Sequence, residues 1–339
     1  MKTIASLVLA CALAGSFAAH AASNSNEGFA VTQPESVGFS SERLQRLRHA
    51  THQIADAGEL SGMVTLIARH GRLVYSDAYG LQDIASKKPM APDTIFRIYS
   101  MTKPITGVAM MILYEEGKWL PDDPLSRHIP EFANLKVFAG LDAKGQPILE
   151  TPAHPPTVGE LMTHSAGFTY GIFGDTPVDK MVREANPLGA GSLQEMIERL
   201  SKLPLAYQPG TKWMYSLSVD IQGYLVEKLS GKPLPQFMRE RIFTPLGMQD
   251  TAFNVPAEKL PRLATVYAGA LKNGRLDPVP HAPDVTKVPG LPSGGGGLYS
   301  TAGDYLRFAQ MLANGGALGD VRILAPATVE VMRSNHLAP

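Results

Sequence analysis

Apolar and polar positions along the chain fall into a few readable patterns. From Ser40 to Ala57, "SSERLQRLRHATHQIADA", Leu44, Leu47 and Ile54 recur at helical spacing behind a serine cap, with Gly58 just beyond. Two runs, "MVTLIAR" and "RLVYSDAYG", then flank His70-Gly71. A two-residue turn with glycine where positive φ is needed joins antiparallel strands, so this spacing predicts a hairpin. From Met101 to Glu116 the pattern loses its polar side: Ile105, Val108, Ala109, Met110, Met111, Ile112 and Leu113 are apolar nearly all round. A helix of that kind is buried on most faces. Pro104 falls in its first turn, where backbone N–H groups lack intrahelical partners, and Gly117 closes it.

Between Trp119 and Pro209 the chain is rich in proline, glycine and short helical pieces such as Leu193–Leu203. That stretch reads as a mostly helical subdomain set into an α/β frame. Further helices are expected at Ser218–Leu229, closed by Gly231, at Thr301–Asn314 after the glycine run "SGGGG", and at Pro326–Ser334. The expected organisation is therefore a leader over 1–21 and the first part of the α/β domain over 22–118. The helical subdomain spans 119–210, and 211–339 returns toward the α/β domain.

The leader reading comes from "MKTIASLVLACALAGSFAAHAA". It has a single lysine, an apolar run from Ile4 to Ala19 and small residues at Ala19 and Ala21. This is the pattern of a signal peptide cleaved after Ala21, which predicts a periplasmic or secreted protein. The run is short for a spanning helix, and nothing after residue 22 is apolar enough to cross a bilayer. Cys11 is the only cysteine, so the chain after the leader has no disulfide, no thiolate metal site and no cysteine nucleophile.

Composition adds little except exclusions. The chain is 44% hydrophobic and 18% charged, as soluble enzymes are, and its 31 basic and 31 acidic residues cancel. No nucleic-acid partner is implied. His49 and His52 lie at i, i+3 on the first helix, but two histidines without a third ligand read as a solvated face rather than a metal site. No cofactor is implied, and oligomeric state is left open.

Candidate chemistry sits in "RIYSMTKPITG", where Ser100 precedes Lys103 by three residues at the start of the apolar helix. Residues i and i+3 share a helix face, with Cβ atoms roughly 5–6 Å apart. A serine is a poor nucleophile until a base takes its proton. A lysine beside it is such a base only where desolvation or nearby positive charge lowers its affinity for protons. The helix mouth also offers unpaired N–H groups, that of Ser100 included, to a developing oxyanion. The plain alternative is that Ser100 caps the helix and Lys103 is solvated.

Other segments extend the pattern: "TVGELMTHSAGF", then "PGTKWMYSLSVDIQGYLVEKLSG" with Tyr215 just ahead of a helix, then "LPSGGGGLYSTAGDYLRFAQMLANGG". In this order they resemble the serine β-lactamase and penicillin-binding-protein superfamily, most of all its class C-like branch and the family VIII carboxylesterases. The resemblance runs from about Ser36 to the end. It implies a β-lactamase/transpeptidase-like fold, an antiparallel sheet flanked by helices with a mostly helical subdomain. It also implies Ser100 as acylated nucleophile, Lys103 as its proton partner, and Tyr215 as general base and later acid. His164 matches a position that looks structural in the family.

Two departures follow from the same comparison. Leu217 stands two residues after Tyr215, where β-lactamases and transpeptidases usually carry an asparagine that contacts the acylamido group. Asp220, in the first turn of the next helix, reads equally as a dipole partner or a site residue. The third family element, K-T-G, H-x-G or W-G-G on a strand, is missing, and Ser293–Gly297 reads as a backbone turn. The family pattern continues past "MRSNHLAP", so the sequence reads as C-terminally truncated, lacking a second oxyanion N–H and leaving one sheet edge bare. The resulting expectation is an exported serine hydrolase of small esters. A β-lactamase or D-Ala-D-Ala peptidase using the same residues is the second reading, and a non-catalytic penicillin-binding-like protein or inactive fragment the third.

Overall fold

The computed structural model describes residues 30–269, 274–279 and 284–337. The expected signal peptide lies outside the described residues. Strand β1 (Ala30–Val31) leads to helix α1 (Ser41–Asp56), whose Ser40 cap accepts a hydrogen bond from the Arg43 N–H. The hairpin follows as β2 (Gly62–Arg69) and β3 (Arg72–Asp83). His70 and Gly71 both take positive φ, 52° and 72°, as a turn matching the strand twist demands. The two strands are antiparallel from Gly62 opposite Gly80 to Arg69 opposite Arg72, with a bulge at Ile67/Ala68.

The sheet order is β1-β3-β2, with β1 running parallel to β3, and the two-residue strand Lys88–Pro89 also pairs with β3. Helix α1 lies against it through Leu44, which meets Val74 and Tyr75. His52 on α1 is partnered rather than solvated: its Nε2 lies 2.8 Å from Asp77 Oδ2 and its ring stacks on Tyr79 at 3.5 Å. Among the described residues no three histidine, cysteine or acidic side chains come together as a metal site.

Helix α2 (Thr102–Glu115) runs through the main core, where Ile105, Val108, Ala109, Met110 and Leu113 are fully buried. It packs against the Ser218–Ser230 helix, whose Ile221, Leu225 and Val226 are equally buried. Both helices are buried over most of their length because other elements cover their remaining faces, α2 with apolar residues nearly all round and the second with polar Asp220 and Gln222 among its buried positions. Trp119, just past α2, folds back so that its indole N–H donates to Met110 O at 2.8 Å.

Two elements depart from the pattern-based expectation. A hairpin of Val137–Leu141 and Pro147–Glu150 interrupts the region expected to be mostly helical. Most of its positions are exposed, so no alternation marks it. A two-residue strand, Tyr299–Ser300, also stands between the glycine run and the following helix, pairing antiparallel with Phe96–Arg97.

Core and surface positions should separate cleanly in stability. Leu225→Ala, at a fully buried site, is expected to lower the unfolding free energy by about 2–5 kcal/mol. Leu120→Ala, at a position 57% exposed, should stay within about 0.5 kcal/mol. Urea titrations of both variants against the parent check this.

Candidate active site

The chain enters α2 through a strained turn. Tyr99 has φ 43°, unusual for a residue with a Cβ, and starts the short 3-10 turn Tyr99–Met101. Neighbours fix it: the Ile98 N–H donates to Leu298 O at 3.0 Å, and the Leu298 N–H donates to Thr102 Oγ1 at 3.2 Å. The Arg97 guanidinium lies over the Tyr99 ring at 4.5 Å. Ser100 is thereby held at the mouth of a buried helix.

The structure brings Ser100, Lys103 and Tyr215 together. Lys103 Nζ donates to Ser100 Oγ at 3.2 Å, and Tyr215 Oη donates to the same oxygen at 2.9 Å across 115 residues of chain. Lys103 Nζ also lies 4.6 Å from the Tyr215 ring centre. Its two further acceptors are Gly295 O at 2.7 Å and Tyr170 Oη at 3.3 Å, so all three N–H donors of the amine are used.

Behind these groups lies a carboxylate with no access to water. Asp220 accepts from Ser293 Oγ at 2.5 Å, from the Gly295 N–H at 3.0 Å and from Tyr170 Oη at 3.3 Å. Burial pushes its proton affinity up, against those hydrogen bonds and the Lys103 charge. The same burial, with Asp220 beside it, raises Tyr170 well above the usual phenol range.

Ser293–Gly297 is a turn, as its composition implies, but it also touches the lysine. A Cβ on Gly295 would stand 2.4 Å from Asp220 Oδ2 and 2.8 Å from Tyr170 Oη, and one on Gly294 would stand 2.6 Å from Val219 O. The absence of side chains is what lets this turn reach the helix. Tyr170, Ser293 and Gly295 were not identified from the sequence. The only local signal is the tyrosine in "FTYG" directly after "THSAG".

His164 braces Tyr215. Its ring stacks on the phenol at 5.3 Å, and its Nδ1 accepts from the Ser216 N–H at 3.2 Å, which leaves Nε2 as the protonated nitrogen of the neutral ring. Burial first, then the Lys103 charge, lowers its pKa to about 4. Leu217 is 1% exposed and belongs to the core, so the residue two after Tyr215 offers the site neither an amide nor a side chain.

A serine at the mouth of a buried helix, backed by a sheet-and-helix frame of this topology, defines a serine hydrolase of the β-lactamase and penicillin-binding-protein superfamily. The chain belongs to the Beta-lactamase family, whose model matches residues 47–338. It is 38% identical over 289 residues to the Mycobacterium tuberculosis protein Rv1367c, covering 84% of this chain and 70% of that one. Identity to Esterase EstB of Burkholderia gladioli is 34% over 279 residues, 76% of this chain and 67% of the relative. Among solved structures, EstCE1, a hydrolase with promiscuous acyltransferase activity, superposes with a TM-score of 0.73 at 30% identity, covering 87% of this chain and 77% of its own.

Two outcomes follow from this geometry. Gly295→Ala must displace Asp220 or Tyr170 and with them Lys103. Hydrolytic turnover should fall by about a hundredfold, the scale of a misplacement near 1 Å, with the thermal midpoint showing that the variant is folded. His164 governs a pH effect on stability. Its folded pKa of about 4 lies below the ordinary 6.5, so the unfolded chain binds the proton first as pH falls. Stability should drop between those values by up to roughly 3 kcal/mol, at 1.36 kcal/mol per pH unit. His164→Gln should lose that part of the slope in urea unfolding measured across the window.

Proposed function

We propose that this chain hydrolyses small esters through an acyl intermediate on Ser100, with Lys103 and Tyr215 moving the proton. The observation that carries the reading is the convergence of Tyr215 Oη and Lys103 Nζ on Ser100 Oγ, at 2.9 and 3.2 Å. In the resting arrangement Ser100 accepts from both. For attack, Tyr215 first releases its own proton to water; the phenolate, beside the Lys103 cation, then takes the Ser100 proton while Oγ bonds to the ester carbonyl carbon, and the carbonyl oxygen gains the negative charge. The cation at Lys103 and the helix-mouth N–H of Ser100 stabilise that charge. Collapse breaks the bond to the alcohol oxygen, which leaves with the proton from Tyr215. Water repeats the sequence in reverse, giving the acid and free Ser100.

An ester is favoured over a β-lactam because Leu217 is buried and no amide stands at that position to meet an acylamido group. The likeness to a named esterase supports the same choice. The leader pattern of residues 1–21 supports export to the periplasm or medium.

Intact-mass spectrometry after treatment with a fluorophosphonate tests the assignment together with p-nitrophenyl butyrate turnover. One label per chain is expected in the parent and none in Ser100→Ala, with turnover down by about a thousandfold or more. Tyr215→Phe should lose about 10²–10⁴-fold in kcat, the range of a general base. Nitrocefin should be turned over far more slowly than the ester. A label that persists in Ser100→Ala would overturn the nucleophile, and faster nitrocefin hydrolysis would overturn the ester preference.

A further inference from the structure

One side of the site is apolar, exposed and rigidly built. Ile172 and Phe173 are 66% and 67% exposed, and Trp213 is 53% exposed. Scattered apolar residues on a surface need no explanation, but Phe173, next to Ile172 in the chain, and Trp213 both stand against Tyr215. The Phe173 ring stands 5.5 Å from the Tyr215 ring and 5.8 Å from that of Tyr170, and Trp213 lies 6.4 Å from Tyr215 on another side.

The loop that carries Ile172 and Phe173 is clamped from beneath by the Pro177–Ala185 helix. Buried Asp179 accepts from Thr169 Oγ1 at 2.5 Å and from the Thr176 N–H and Oγ1 at 3.0 and 2.7 Å. Arg183 donates to Gly171 O at 2.5 Å, to Gly174 O at 3.0 Å and to Asp175 Oδ1 at 2.6 Å. A loop pinned at both ends could fold its two large apolar side chains inward; this one holds them out beside the nucleophile. Asp175 is paired with Arg183 and Lys180, Lys103 with its three acceptors, and Lys212, next to Trp213, lies over the Tyr207 ring. The face turned to Tyr215 is aromatic, made by Phe173 and Trp213.

We infer that Ile172, Phe173 and Trp213 form an apolar subsite beside Tyr215 that receives the hydrocarbon or aromatic half of a neutral ester and, among small esters, favours those with the larger apolar group. The inference rests on the reading of this site as an ester hydrolase. Its test has a kinetic arm and a binding arm.

In the kinetic arm, kcat/KM is measured for p-nitrophenyl octanoate against acetate, and for hexyl acetate against ethyl acetate, in the parent, Phe173→Ala and Trp213→Ala. The ratio of large to small substrate should fall about tenfold in each variant, the scale of one or two methylenes lost from a pocket. The series that collapses identifies whether the acyl or the alcohol half is bound. Unchanged ratios in both series would overturn the subsite. In the binding arm, ethyl octanoate and hexyl acetate are titrated into Ser100→Ala while tryptophan emission is followed. Trp119 is buried, so a change should come from Trp213 and vanish in the Ser100→Ala/Trp213→Phe double variant. Failure of both esters to change the emission would overturn the subsite even if turnover proceeds. Absence of ester turnover in the parent would overturn the hydrolase reading, and retained turnover in Ser100→Ala would overturn Ser100 as nucleophile, while this arm still decides the subsite.

Discussion

Everything at this site depends on keeping one cation and one carboxylate inside the protein. Either charge alone would be expensive there: an unpaired buried ion costs several kcal/mol, and even a paired one needs its remaining hydrogen bonds made. Lys103 and Asp220 meet that demand without touching. Gly295 stands between them, donating its N–H to Asp220 and accepting from Lys103 at its carbonyl. Tyr170 makes a second bridge, accepting from the lysine and donating to the carboxylate. The lysine is thus fixed near Ser100 by acceptors that are themselves fixed, and its charge faces the serine instead of being neutralised by a direct ion pair.

That arrangement explains the packing around it. The Ser218–Ser230 helix must approach the Ser293–Gly297 turn closely enough for Asp220 to reach backbone, and Gly223 and Gly294 meet at that contact. From the other side Thr106 on α2 donates to Gly294 O at 2.8 Å. Two buried helices and a glycine-rich turn are therefore locked through a small polar knot, and the apolar residues of both helices keep water out of it. Tyr215 is positioned by His164, by Tyr170, whose ring stacks on it at 5.5 Å, and by Ser216, whose hydroxyl lies 2.8 Å from that of Ser218. Tyr170 thus supports both of the nucleophile's proton partners, since it also accepts from Lys103.

The sequence disclosed what local patterning carries. Helix α2 was legible because its apolar residues are unbroken over several turns, the β2–β3 hairpin because His70-Gly71 forces the turn, and the Ser100–Lys103 pair because i, i+3 geometry needs no tertiary information. Tyr215 was reached only through the resemblance of whole segments, since nothing near it in sequence says that its hydroxyl meets one 115 residues earlier. Tyr170 and Ser293 were invisible for the same reason: their partners are brought by folding, and a tyrosine or serine in a loop carries no periodicity. Asp220 read equally as a helix-dipole partner because its position in the first turn satisfies that role whatever lies opposite. The Val137–Glu150 hairpin was missed because its exposed strands bury only one position fully, Val137, and so show no alternation to read.

The contrast between interior and rim follows from the chemistry proposed. An ester is neutral in its ground state and acquires charge only as the tetrahedral intermediate forms, so electrostatic groups that face the reacting oxygen act mainly on the transition state. Binding of the ground state must then come from elsewhere, and for a neutral substrate the available source is apolar surface removed from water. Placing Lys103 and its buried network beneath Ser100, and Ile172, Phe173 and Trp213 above it, separates the two tasks.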